Sequence, residues 1–167
     1  SSNKIYLNLV LKALKKKKII KYKIILEPVK KNTAAAILAA SLFTISKDEE
    51  AVMLVAPCEH LIPDITDFHN AVSTGLSQVH NSKIVTFGIK PTKPETGYGY
   101  IELSQGSIDQ HIVSNVLNFI EKPDLISAEK MLKTNKFLWN SGIFLFKAKD
   151  IVQAFKIHAS ETLKLVS

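Results

Sequence analysis

Several short polar patterns in this chain carry side chains suited to phosphates and hydroxyl groups. They are Glu27-Pro28, Cys58-Glu59-His60, Gly97-Tyr98-Gly99, Glu121-Lys122-Pro123 and Trp139-Asn140-Ser141-Gly142. Glu59 follows an apolar run ending at Ala56, where a carboxylate can hold Mg²⁺ against phosphate oxygens; read alone, it serves equally as a helix-start or loop carboxylate. His60 has no second histidine or cysteine at transition-metal spacing, so a loop hydrogen bond also accounts for it. Cys58 is the only cysteine, which leaves no internal disulfide, no thiolate cluster and no visible partner for nucleophilic activation. Glycines on both sides of Tyr98 let the backbone approach a sugar or simply turn, and they lack the helix-opening Gly-x-Gly-x-x-Gly arrangement of a dinucleotide site. Glu121 accepts hydrogen bonds from hydroxyls, and Lys122 offers an ammonium to phosphate. Trp139 to Gly142 combine an apolar wall with amide and hydroxyl groups.

Positioning these residues requires an alternating α/β chain. Leu7, Val10, Leu11 and Leu14 predict a helix over residues 4–17 that runs into Lys15 to Lys18. Tyr22, Ile24 and Leu26 alternate as a short strand ended by Pro28, and Asn32 or Thr33 is placed to cap an alanine-rich helix. The apolar run 51–56 predicts a central parallel strand, followed by a helix through Phe68, Ala71, Val72 and Leu76 and a strand over 84–89. After Lys90 the expected pattern is a long Pro/Gly loop, an edge strand near Tyr98 to Ile101 and a turn around Gly106. A return strand over 112–120, a helix near 127–133, a strand over 143–146 and a last helix from about Asp150 follow. In such a sheet, ligands sit beyond the carboxyl ends of the strands, where Glu27-Pro28, Pro57 to His60 and the stretch after Ile89 converge.

Charge separates the function classes. The net charge of +7 is local, because residues 1–31 carry +9 and residues 32–167 carry −2. There is no arginine, hence no bidentate fork for guanine edges, and the lysine run suits a helix C-terminus. The expectation is no nucleic-acid partner. No apolar run reaches the roughly 18 to 20 residues of a membrane span, and the start lacks the order of a secretory signal, so the expected location is cytoplasmic with no membrane partner. At 167 residues the chain suits one core or a piece of a larger domain.

The ordered set Glu27-Pro28-Val29-Lys30-Lys31-Asn32-Thr33-Ala34, Pro57-Cys58-Glu59-His60, Phe87 through Ile101, Phe119 through Asp124 and Trp139 through Gly142 resembles the mannose-1-phosphate guanylyltransferase (GDP-mannose pyrophosphorylase) family across essentially the whole chain. The resemblance implies an α/β fold of the nucleotide-diphospho-sugar transferase type, with a mixed, mostly parallel sheet flanked by helices. It implies attack of mannose 1-phosphate on the α-phosphorus of GTP, giving GDP-mannose and pyrophosphate, with Mg²⁺ as cofactor. By the same resemblance, Glu59 matches the metal-holding carboxylate and Lys122 an electrostatic clamp, the two expected catalytic residues. Glu27, Asn32, Thr33, Gly97, Tyr98, Gly99, Glu121 and Asn140 are the expected substrate-binding positions.

Departures from the family pattern shape the remaining expectations. The family's glycine-rich nucleotide loop and its later metal-binding part have no counterpart in residues 1–167, which are expected to form a partial nucleotidyltransferase domain. Lys30-Lys31 stand where the family has glycine then arginine, Ala35 where proline is usual, and Glu59 where the family has the shorter aspartate. One expectation is a guanylyltransferase portion that is inactive alone and needs its missing segments from a longer chain or a complementing fragment; a homo-oligomer is a further expected partner, since loss of the first strand exposes a sheet edge or core patch. The alternative is a noncatalytic remnant or interaction protein that retains part of the sugar-phosphate site.

Overall fold

The structure, a computed structural model, describes residues 2–27, 33–104 and 112–166. In chain order the elements are β1 (Ser2–Asn3), a 3₁₀ turn (Lys4–Tyr6), α1 (Leu7–Lys16), β2 (Leu26–Glu27), α2 (Thr33–Ile45), β3 (Val52–Val55) and α3 (Ile65–Val79). They continue with β4 (Val85–Ile89), β5 (Gly99–Leu103), β6 (Val116–Glu121), α4 (Leu125–Thr134), β7 (Phe137–Lys147), α5 (Ala148–His158) and α6 (Ser160–Val166). They divide into two units, residues 1–51 with 148–167 and residues 52–147.

In the first unit β1 and β2 pair in parallel, Ser2 with Leu26 and Asn3 with Glu27. The strand expected from Tyr22 to Leu26 is therefore shorter and later, because its ladder can extend no further than this two-residue partner. Lys15 and Lys16 lie in the last turn of α1, where their charge complements the helix dipole. Leu38 and Ser41 of α2, together with Ala148 and Ile151 of α5, supply the buried positions. The small side chains along α2 let the two helices approach closely.

The second unit is built on β7. Its eleven residues pair antiparallel with β3, β4 and β5, and β5 pairs antiparallel with β6. Phe144 and Leu145 face both β3 and β4 in the register, and Trp139 faces both β4 and β5. It follows that β7 runs between β4 on one edge and β3 with β5 on the other. β3, β4 and β5 share one direction, as the strand-helix-strand rhythm predicts, and β6 and β7 run the opposite way. Among the described residues the pairing of the chain is thus mixed: neighbours in this five-stranded sheet pair antiparallel throughout, and the parallel pair, β1 with β2, forms a separate two-stranded sheet. Two expectations are corrected here. β3 is not central and parallel: among the described residues it pairs with β7 alone, antiparallel, and leaves Val52 and Leu54 exposed at 38% and 45%. β5 is not an edge strand, since β6 and β7 flank it and Tyr100 and Ile101 are buried.

Packing fixes these strands. Gly75 of α3 lies where an added Cβ would meet Leu145 and Val85 at 3.3 Å, so the helix sits close on β7 and β4. Tyr100, Ala128 and Trp139 form a buried cluster with Ile120, Met131 and Phe137 against it, tying α4 to the sheet. Side-chain caps start both helices: Asp64 accepts from the Asp67 N–H at 2.8 Å and Asp124 from the Ser127 N–H at 2.7 Å. The expected turn at Gly106 lies outside the described residues. No helix among the described residues is long and apolar enough to cross a membrane.

Candidate functional site

A cleft of about 360 Å³ opens in the second unit between the Glu59-His60-Leu61 loop, Ile89, Tyr98, Trp139 and Asn140. It exists because β7 does not run straight through the polar pattern at its middle. The register with β4 shifts between Thr86 and Gly88, and Gly142 takes a left-handed φ of 69°, a conformation that glycine adopts without strain. At this bulge the side chains replace ladder bonds. Ser141 Oγ donates to the Phe87 carbonyl at 2.7 Å and accepts from the Ile143 N–H at 3.1 Å. Asn140 Oδ1 accepts from Thr86 Oγ1 at 3.1 Å and from the Gly142 N–H at 3.2 Å.

The opposite wall is the loop before β5. Tyr98 meets Trp139 edge to face with ring centroids 5.3 Å apart, and Trp139 is 9% exposed. The loop is held from beneath: the buried Tyr100 hydroxyl accepts from the Glu95 N–H at 3.0 Å. Glu95 accepts from the Gly97 N–H at 3.1 Å and pairs with Lys93 at 3.0 Å. Lys93 first, and the Gly97 N–H second, hold the Glu95 carboxyl below its ordinary value. Just past the end of β6, the Lys122 N–H donates to the Tyr98 carbonyl at 3.2 Å. Lys122 has φ 47°, a left-handed conformation that disfavours a lysine, and non-glycine residues in it concentrate at functional sites. Its ammonium lies 3.6 Å from Glu121 Oε1 with both side chains more than half exposed, which leaves it free to turn toward a ligand phosphate.

Glu59 is exposed at the cleft rim. Its own backbone N–H, and then the Cys58 thiol at 3.5 Å, hold its carboxyl below the ordinary range, so it is ionised at neutral pH. Among the described residues no group of three or more His, Cys, Asp or Glu is gathered to hold a metal. Mg²⁺ characteristically takes only one or two carboxylates, completing its shell with phosphate oxygens and water. One exposed, ionised carboxylate beside a cleft fits that requirement.

Of the residues expected from the sequence, Glu59, Tyr98 and Asn140 line this cleft. Gly97 and Gly99 flank Tyr98, and Glu121 and Lys122 join it through the Gly99–Glu121 pair and the Tyr98–Lys122 bond. Glu27 ends β2 and Thr33 begins α2 in the first unit; Asn32 lies outside the described residues. The sequence assigns no site role to Thr86, Glu95 or Tyr100, although Glu95 and Tyr100 lie in the motif from Phe87 through Ile101 and a threonine within the apolar strand 84–89 is a visible signal. A larger groove of about 590 Å³ lies among α3, β4 and residues 112–116. It contains none of the expected residues, and the smaller cleft is where the polar groups converge.

A nucleotidyl transferase family model matches residues 2–167. Mannose-1-phosphate guanylyltransferase of Escherichia coli is 38% identical over 146 residues, covering 85% of this chain and 32% of that protein. Mannose-1-phosphate guanylyltransferase of Sinorhizobium fredii is 41% identical over 144 residues, covering 86% of this chain and 28% of that protein. The chain thus spans less than a third of the length of either relative. Among solved structures, mannose-6-phosphate isomerase from Helicobacter pylori superposes with a TM-score of 0.83 at 35% identity, over 98% of this chain and 60% of that one.

Proposed function

This chain belongs to the nucleotidyl transferase family, and from that membership we propose that its cleft is the sugar-phosphate side of a mannose-1-phosphate guanylyltransferase. The reaction joins a phosphate oxygen of mannose 1-phosphate to the α-phosphorus of GTP, breaks the α–β phosphoanhydride bond and releases pyrophosphate. The observation that carries the reading is the meeting of Glu59, Tyr98 and Asn140 in one cleft, with Lys122 bonded to the backbone beneath Tyr98.

Phosphoryl transfer of this kind needs alignment and charge stabilisation more than covalent chemistry. Tyr98 and Trp139 form an apolar wall for the sugar ring, and Asn140 and Glu121 provide a donor and an acceptor for its hydroxyls. The Lys122 ammonium faces the phosphate. Glu59 would hold Mg²⁺, which when bound disperses charge accumulating on the phosphates. The proposed location is the cytoplasm. The chain, acting with a complementing segment or a second copy, supplies the sugar-phosphate half of the site.

The test is ³¹P NMR of the chain with GTP, mannose 1-phosphate and Mg²⁺, alone and with the remaining segments of the Escherichia coli relative supplied in trans. GDP-mannose and pyrophosphate appearing in equal amounts, and lost in Lys122→Ala, support the reading. Absence of both products in every combination overturns it.

A further inference from the structure

The amide of Asn140 is held by two groups, and one of them is a residue that no comparison or motif singles out. The Gly142 N–H, 3.2 Å from Oδ1, can only donate, so the atom it faces must be the amide oxygen. The Thr86 hydroxyl reaches the same oxygen at 3.1 Å. It also lies 3.4 Å from the Ile143 carbonyl, but its single proton favours the shorter path to Asn140. Thr86 is half-buried on β4 and separated from Asn140 by 54 residues. The oxygen is thereby committed to the protein on both its lone pairs. The NH₂ end is what remains for the cleft that Asn140 lines.

We propose that Thr86 is a positioning residue that, beside the Gly142 N–H that sets which end of the amide faces inward, holds Asn140 still as a donor-only group, so that this wall of the cleft selects a ligand oxygen, either hydroxyl or phosphate. This rests on reading the cleft as a sugar-phosphate site. A free Asn amide would rotate and offer donor or acceptor equally; one locked amide removes that rotation before binding and discriminates against a donor at the same place. Threonine suits the task because its branched Cβ restricts the hydroxyl to few orientations within a strand.

Two readouts test it on the whole chain, using Thr86→Val, which keeps the shape, and Thr86→Ser, which keeps the hydroxyl. The first is ¹⁵N relaxation of the Asn140 side-chain NH₂ in ligand-free protein: the amide is ordered in the parent chain and in Thr86→Ser, and loosened in Thr86→Val. The second is affinity for mannose 1-phosphate, expected to fall up to about tenfold in Thr86→Val because the loosened amide must then be ordered on binding, and to stay within about twofold in Thr86→Ser. An amide equally ordered in Thr86→Val overturns the proposal, as does a loosened amide with unchanged affinity. If the parent chain binds no mannose 1-phosphate, the sugar-phosphate reading fails and the relaxation result alone decides the role of Thr86.

Discussion

Gly99 and Glu121 face each other across β5 and β6, and a Cβ on Gly99 would come within 2.9 Å of Glu121 Oε2. The missing side chain of one residue is the space that the carboxylate of the other occupies. Gly99 therefore serves the site through its opposite neighbour, while Lys122, next after Glu121, combines a left-handed backbone with an N–H that donates to the Tyr98 carbonyl.

Gly99→Ala follows from this pairing. The atoms an alanine would meet are the tip of the Phe119 ring, at 2.8 Å, and the Glu121 carboxylate, both far ends of exposed side chains able to swing away. Unfolding free energy is expected to fall by about 1 kcal/mol, the low end of the cost of overpacking, whereas affinity for mannose 1-phosphate falls as Glu121 is displaced. Denaturant melts and calorimetric titration on the same variant separate the two effects.

Lys122→Gly separates function from stability in the other direction. Glycine adopts φ near 47° without the cost that lysine bears, so the thermal midpoint is expected to stay level or rise. Loss of the ammonium should weaken mannose 1-phosphate binding far more than it weakens mannose binding. A variant that is destabilised yet binds normally would show that the backbone twist is structural.

Acid should loosen the Tyr98 loop. The folded pKa of Glu95 lies below its ordinary value of 4.5, chiefly through Lys93. Its stabilising contribution is therefore complete above 4.5 and lost as pH falls through the lower folded value. The Gly97 amide proton, which Glu95 accepts at 3.1 Å, is expected to titrate with a midpoint under 4.5 in a pH series by NMR. Glu95→Gln should abolish that titration, and a midpoint at or above 4.5 would remove the ion pair from the account.

Much of this arrangement was legible in the sequence where local rules decide it. The spacing of Phe68, Ala71, Val72 and Leu76 marked α3, and the apolar stretch from Ile84 marked β4. Pairing was not legible, because an apolar run such as 52–55 fits a parallel or an antiparallel neighbour, and its partner is about 90 residues away in β7. The sequence alone places this strand over 143–146, since Asn140-Ser141-Gly142 carries loop-like chemistry. Its start at Phe137 is possible because Ser141 and Asn140 satisfy backbone groups at the bulge. The Thr86–Asn140 bond belongs to the same class: only the fold brings the two together.

The central claim, that the cleft beneath Tyr98 receives a sugar phosphate, is tested most directly by titrating mannose 1-phosphate into the ¹⁵N-labelled chain. The account predicts saturable shifts at Tyr98, Glu121, Lys122 and the Asn140 side-chain amide, with none in the groove along α3. An unchanged spectrum at millimolar ligand, or shifts confined to that groove, would contradict it.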